Sequence, residues 1–309
     1  MKEQTKRAEM YYAEPVYRPP SEAYSLLVQA TVGCSCAAAG RCYFCNSTVF
    51  QREIPEKKFR IRPTSEILED IEIGGRQYRG VDKIFLLDSN AMIIKAPELL
   101  KIVRKCYETF PRLKQVACYA CCEDILRKSD DELLELRKAG LNLVFIGLES
   151  GDQEVLELIN KGVTVEDQIE SVVKANRAGI QTSVTVILGL GGKRLSHQHA
   201  VNTGKAATLM NPSFFAALTL MVVPGTVLED MIKRGEFELI TDPLDILKEV
   251  ELMIDNIEAP GPVVFRTNHA SNYLPLKGTL PADKERLLTT IRRAVGNPAI
   301  LRTEYMRGL

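Results

Sequence analysis

Histidine is nearly missing from this chain, net charge is missing altogether, and cysteine stops at residue 122. The three histidines, His197, His199 and His269, have no partner at metal-ligand spacing, so a histidine-built metal site is not expected. His197 and His199 fall at an expected helix start, where surface and capping roles dominate. Forty basic side chains offset forty acidic ones, so no global field recruits nucleic acid or an anionic membrane. No run of eighteen apolar residues occurs, and the N-terminal MKEQTKRAEMYYAEPVYRPP lacks the apolar core of a signal peptide. The chain therefore reads as cytoplasmic, with neither a membrane nor a nucleic acid as partner. The eight cysteines, at 34, 36, 42, 45, 106, 118, 121 and 122, are poorly placed to staple a whole fold with disulfides. Metal or redox chemistry explains their crowding better.

What is present begins with the stretch from Gln29 to Asn46, QATVGCSCAAAGRCYFCN. An apolar run stops at Gly33 and four cysteines follow. Cys42 and Cys45 form a C-x2-C pair around Tyr43 and Phe44, and Cys34 or Cys36 adds a third thiolate on the same loop. Three thiolates suit an iron-sulfur cluster with one iron left open. Zinc usually takes a closed set of four ligands, so a zinc knuckle would need all four cysteines of the loop. A two-cysteine redox motif would leave the upstream pair idle.

The rest of the chain alternates between short apolar runs and helical patterns. Strands are expected at 26–32, 83–87, 115–119, 143–148, 182–188 and 214–223, each bounded by turn residues. Between them, Ser65 is placed to cap a helix carrying Ile67, Leu68 and Ile71, and Leu99, Leu100, Ile102 and Val103 mark the inward face of a helix at 97–107. Ser129 is placed to cap a helix that Gly140 stops, Gly179 closes a helix at 164–178, and 196–210 forms the next. Six strand-helix units call for a parallel sheet with helical crossovers. Six are fewer than a full eight-stranded barrel needs. The expected fold class is therefore α/β, a partial (β/α)6 TIM-like barrel at 24–235. An N-terminal arm (1–23) precedes it, and a C-terminal helical covering extension (236–309) follows.

On these features the chain resembles the radical S-adenosylmethionine (SAM) superfamily. The resemblance rests on the cysteine loop after the first strand, on Phe44 just before its last cysteine, and on the strand-end motifs LDSN, IGLES, NKG and VILGLGG. It implies a 4Fe-4S cluster held by three cysteines, with SAM chelating the fourth iron through its amino and carboxylate groups. An electron donor such as flavodoxin or ferredoxin would reduce the cluster. SAM would then split into methionine and a deoxyadenosyl radical that abstracts hydrogen from a substrate, in an oxygen-sensitive reaction. No peptide-binding extension or cobalamin domain is evident, which favours a small-molecule substrate. The rival reading is a non-radical iron-sulfur or zinc protein with a structural or electron-carrier role.

The same resemblance assigns site residues. The common superfamily spacing is C-x3-C-x2-C, whereas here Cys34-x7-Cys42 or Cys36-x5-Cys42 precedes an intact Cys42-x2-Cys45. Gly33-Cys34-Ser35 directly follows the strand, which favours Cys34, Cys42 and Cys45 as ligands and leaves Cys36 as the alternative. Asp88, Ser89 and Asn90 would meet the SAM ammonium, Glu149 the ribose hydroxyls and Lys161 the SAM carboxylate. Ser183 and Thr185 share one face of the fifth strand, and Gly189 would let the backbone approach adenine. Each has a plainer reading: Glu149-Ser150 as a helix cap, Lys161 as a solvated lysine, and Gly189, Gly191 and Gly192 as a simple loop. Cys121 or Cys122 could face the substrate, or join Cys118 with Cys106 or Cys36 around an auxiliary cluster. The polar stretch FRTNHASNYLPLKGTLP, with Arg266, Asn268, His269, Ser271, Asn272 and Tyr273, is expected to pack against the open side of the barrel.

Overall fold

Each short apolar run becomes a strand in the computed structural model, which describes residues 7–307. The first six residues of the expected arm and the last two of the C-terminal extension lie outside the described residues. The strands are β1 Leu26–Gln29, β2 Lys83–Leu87, β3 Gln115–Ala120, β4 Leu141–Glu149, β5 Gln181–Leu188 and β6 Phe214–Thr219. They lie side by side in chain order, each parallel to the next, because every return passes through a helical crossover. Two more strands extend the sheet past the six expected: β7 Val263–Arg266 runs parallel to β6, and β8 Lys277–Leu280 runs antiparallel to β7. The sheet does not close on itself, and β1 and β8 are its edges.

Alternation along the strands separates two apolar layers. Val28, Leu86, Val116, Val144, Val184, Phe215 and Phe265 belong to one core. They pack there with the inward faces of α1 Thr64–Gln77, α2 Ala96–Thr109, α3 Asp130–Ala139, α4 Val165–Arg177, α5 Gly192–Met210, α6 Pro243–Asp255 and α7 Lys284–Gly296. Phe85, Leu87, Ala117, Leu143 and Phe145 alternate onto the concave face, where Tyr12 and Val16 of the arm pack against them. Each fully buried aliphatic or aromatic side chain contributes roughly 1.5–3 kcal/mol, so the helix-facing layer carries most of the stability.

Local signals set several boundaries. Ser129 and Glu132 form a reciprocal capping box on α3, and Gly140 closes that helix at φ +112°, where a side chain would collide with the Tyr107 ring. Thr164 caps α4 by accepting from the Asp167 N–H. Ser65 does not cap α1. The helix starts two residues earlier than a Ser65 cap would set it, with Pro63 at the cap position and no side-chain acceptor there, so Ser65 lies inside the first turn. Similarly, α5 starts at Gly192 rather than 196, since Gly192 takes a positive φ that turns the chain straight into the helix.

The C-terminal stretch expected to lie over the open side instead supplies β7 and β8. Asn272 is buried there and spent on the barrel: its amide donates to the Ala217 carbonyl at 2.8 Å, and its oxygen accepts from the Thr219 hydroxyl at 2.9 Å. Ser271 likewise accepts from the Thr219 N–H at 3.2 Å. These bonds pin the stretch at the C-terminal end of β6, and His269 and Asn268 follow β7 at that same end.

Candidate active site

Parallel strands gather their carboxyl ends on one rim, and the cysteine loop leaves β1 there. The chain first makes a two-residue ribbon, Thr31–Val32 against Arg60–Ile61, and then turns at Gly33 with φ +68°. A side chain at Gly33 would strike the Lys57 carbonyl. The Gly33 N–H donates to the Asp88 carboxylate at 3.1 Å, and the same carboxylate pairs with the Lys57 ammonium. Burial raises the Asp88 pKa, with Lys57 and Gly33 pulling against that shift.

At its far end the loop is sewn to the NKG corner. The Cys42 N–H donates to the Asn160 carbonyl at 2.9 Å and the Tyr43 N–H to the Ile159 carbonyl at 3.0 Å, while the Asn160 amide donates to the Gly40 carbonyl at 2.9 Å. Cys42 and Asn160 both take positive φ to do this. Tyr43 and Phe44 pack into a small apolar cluster with Ile159, Leu190, Leu220 and Leu228. Cys45 then starts the helix Asn46–Glu53.

The sulfurs gather between these anchors. Cys36 interacts with Cys34, Cys42 and Cys121 at once, and its sulfur lies 3.3 Å from that of Cys121. Asn90 is fully buried behind them: its amide donates to the Ser35 hydroxyl (3.0 Å) and Asp124 (2.6 Å), and its oxygen accepts from the Cys121 N–H (3.2 Å). Cys106 and Cys118 sit in the helix-facing core, where burial pushes each thiol up to about 12. An auxiliary cluster drawing on Cys106 and Cys118 is therefore not assembled, and of the four cysteines outside the loop it is Cys121 that touches a loop sulfur.

Across the rim, Glu149 ends β4 at φ +64°, and its carboxylate lies 2.9 Å from the Lys161 ammonium, both side chains largely buried. Gly147 makes room, because a side chain there would collide with that carboxylate. Burial works against the Lys161 charge, but Glu149 and the Cys42 and Cys36 sulfurs outweigh it and hold the ammonium well above its usual pKa. Lys161 is thus no solvated surface lysine. Nor do Glu149 and Ser150 cap the next helix: Asp152 does, accepting from the Val155 N–H at 3.1 Å.

Ser150 instead opens a buried polar chain. Its hydroxyl lies 2.7 Å from His199 Nδ1, and His199 Nε2 lies 3.5 Å from Glu249, long for a hydrogen bond. Glu249 accepts from the Gly189 N–H at 2.6 Å and from the Ser196 hydroxyl at 2.5 Å. His199 was expected near a helix surface, yet it is fully buried. The earlier start of α5 puts it two turns in, on the same face as Leu195 and Thr203. Ser183 and Thr185 share the concave face of β5, with Ser183 buried.

Most of the expected site residues therefore gather on one rim, with a division of labour, whereas Ser183 lies lower in the barrel, level with Phe145 of β4 and Phe214 at the start of β6. Glu149, Lys161 and the loop cysteines stand together. Asp88 and Asn90 are committed to holding the loop, and Ser89 lies between them at the end of β2. Lys57, Asn160, His199 and Glu249 are the positioning residues that sequence reasoning missed. A cavity of about 510 Å³ lined by Tyr12, Arg18, Tyr24, Tyr78 and Arg79 lies at the opposite, N-terminal ends of β1 and β2 and contains none of these groups.

A sequence-family model of the Radical SAM superfamily matches residues 30–203. The chain belongs to the radical SAM superfamily. An uncharacterized protein of Methanocaldococcus jannaschii is 24% identical over 254 residues, 82% of this chain and 76% of that one. Among solved structures, the radical SAM enzyme coproporphyrinogen III oxidase (HemN) of Escherichia coli aligns with a TM-score of 0.56 at 18% identity, covering 81% of this chain and 54% of that one. The radical SAM methyltransferase TsrM of Kitasatospora setae, solved with cobalamin and a [4Fe-4S] cluster, aligns at 0.53 and 18% identity over 68% of this chain and 39% of that one. At that identity the likeness is one of fold. A tRNA uridine(34) acetyltransferase of Methanocaldococcus infernus is 28% identical over 114 residues, 36% of this chain and 21% of its own. Against several curated relatives the chain spans less than half their length.

Membership makes this a radical SAM enzyme, and radical SAM enzymes need a reductant and a substrate. The donor set fits the superfamily's cluster: several thiols on one loop, fixed at both ends by backbone hydrogen bonds, open toward a rim that carries a buried cation. Among the described residues no helix is long and apolar enough to cross a membrane.

Proposed function

We propose that Cys34, Cys42 and Cys45 hold a 4Fe-4S cluster and that SAM lies across the ends of β2, β4 and β5. When bound and reduced, that cluster supplies the electron that cleaves SAM to methionine and a deoxyadenosyl radical, which abstracts hydrogen from a small-molecule substrate. The observation that carries this reading is the shared corner at Asn160-Lys161: the backbone of Asn160 fixes Cys42, and the next residue aims a buried ammonium beside the loop sulfurs. Lys161 would hold the SAM carboxylate, Glu149 the ribose hydroxyls, and Ser183 with the Gly189 backbone the adenine side. At the end of β2, Ser89 would meet the ammonium, with Asp88 and Asn90 shaping its surroundings, while Phe44 walls the loop with its apolar ring.

A charge-balanced surface supports a small-molecule substrate over a polyanion. An electron donor such as flavodoxin or ferredoxin would deliver the electron. Eight free cysteines and an oxygen-sensitive cluster suit the reducing cytoplasm.

The deciding experiment is anaerobic reconstitution followed by reduction in the presence of SAM. Deoxyadenosine should form. Protein with full iron and sulfide that releases none would instead be an electron carrier. Cys34→Ala should empty the site of iron, and the reading of the ligand set fails if Cys36→Ala empties it while Cys34→Ala does not.

A further inference from the structure

Two sulfurs in this region have no place in a three-cysteine ligand set. We propose that Cys36 and Cys121 form a redox-active dithiol that closes to a disulfide in the cluster-free chain, with a low-molecular-weight disulfide such as oxidised glutathione as its oxidant. The proposal rests on the ligand set above only in treating Cys36 as spare.

Several observations carry it. The two sulfurs stand 3.3 Å apart across 85 positions of sequence, and a disulfide needs about 2.05 Å, a gap that rotation about side-chain bonds can close. Their approach is fixed by other groups. Asn90 bridges the Ser35 hydroxyl to the Cys121 N–H, and Arg41 pairs with Glu123 at 2.7 Å. Both latches join the loop to the segment after β3 that carries Cys121. Cys36 and Cys121 are partly buried as residues, whereas Cys106, Cys118 and Cys122 are buried.

The chemistry balances as ordinary thiol-disulfide exchange. One protein thiolate attacks the glutathione disulfide, forming a mixed disulfide and releasing one glutathione thiolate. The second protein thiolate then attacks the protein sulfur of that bond and releases the other glutathione. Two protein thiols are oxidised, one glutathione disulfide is reduced to two thiols, and two protons leave with the products. The new bond ties the loop to the end of β3 when no cluster is present to hold it.

The test uses the full chain, reduced and freed of iron, then incubated with oxidised glutathione. Unreacted thiols are alkylated, and linked peptides are assigned by fragmentation. The expected product is a Cys36–Cys121 cross-link, reversed by dithiothreitol, with a Tm raised by several degrees because a long loop has been closed. Cys121→Ser should abolish the cross-link and the rise in Tm that accompanies it. The proposal is overturned if Cys36 instead pairs with Cys34 or Cys42, or if both Cys36 and Cys121 remain alkylatable after prolonged incubation. Because the readout is made without iron or SAM, it stays independent of whether the loaded protein releases deoxyadenosine.

Discussion

The two flanks of the rim solve the same problem in different ways. On the cysteine side, an ion pair holds the turn: Asp88 accepts from Gly33 and is neutralised by Lys57, both side chains about 4% exposed. At the end of β5 a buried carboxylate, Glu249, holds Gly189 through neutral donors, with His199 and Ser150 behind it. Losing one partner of a buried ion pair strands a charge, whereas losing one donor from a neutral network leaves the others in place. The cysteine loop is therefore the brittle flank and the end of β5 the tolerant one. A long loop must hold its shape through its own side-chain contacts, while a strand end is already fixed by its sheet.

Lys57→Ala should break that contrast most severely. It leaves Asp88 buried and unpaired, at a cost of about 3–5 kcal/mol, read as a large fall in Tm and in iron bound per chain. Combining it with Asp88→Asn should recover much of the loss, and a single variant with parental Tm and iron would show that the pair is not what holds the turn. Glu149→Ala comes next. Loss of hydrogen bonds to a bound ribose costs roughly 1–3 kcal/mol, or about fivefold to 150-fold in SAM affinity, beside a fall in Tm because Lys161 loses its partner. Calorimetry showing parental affinity would remove Glu149 from the SAM contacts. A milder change is expected from Glu249→Gln, which keeps one acceptor for Gly189 and loses the charge. SAM affinity should drop by about fivefold, equivalent to about 1 kcal/mol, while the cluster loads normally. A loss of iron as large as that from Lys57→Ala would erase the distinction between the flanks.

The smallest effect concerns the buried thiols. With pKa values near 12, Cys106 and Cys118 stay protonated at pH 8, and the thiol is a far weaker nucleophile than the thiolate. Alkylation of the native, cluster-free chain should spare both until denaturant is added. Early labelling of either would place it outside the helix-facing core.

Much of this arrangement could be read from sequence where a local cause acts alone. The apolar, β-branched runs of β1 to β6 could hardly be anything but buried strands, and Ser129 with Glu132, or Gly140 after Lys138, fix helix ends through bonds within a few residues. The cysteine loop announces itself by composition. By contrast, β7 and β8 read as VVFR and KGTL, four residues each and too short to stand out, and β7 forms on the edge that β6 offers while β8 adds to β7. Nothing in the residues around Lys57 signals a buried cation, since its partner lies 31 positions away on another strand end. Asp88 and Asn90 were legible as site residues but not as supports, because whether a carboxylate faces a ligand or a lysine depends on where a distant loop comes to rest. His199 was misplaced for a smaller reason: a start of α5 four residues earlier than expected puts it two turns inside the helix rather than in its first turn.

The open sheet carries a consequence for how this protein behaves in company. An edge strand offers free N–H and C=O groups to any passing chain, and long exposed edges invite self-association. Here the last strand is answered from within. The Thr279 N–H donates to Asp283 at 2.8 Å, the Lys277 carbonyl accepts from Arg286 at 2.9 Å, and Asp283 and Arg286 are themselves paired at 3.0 Å. Two side chains at the start of α7 thus stand where a neighbouring strand would, so the Thr279 N–H and the Lys277 carbonyl on the outer edge of β8 are not free to template strand addition there.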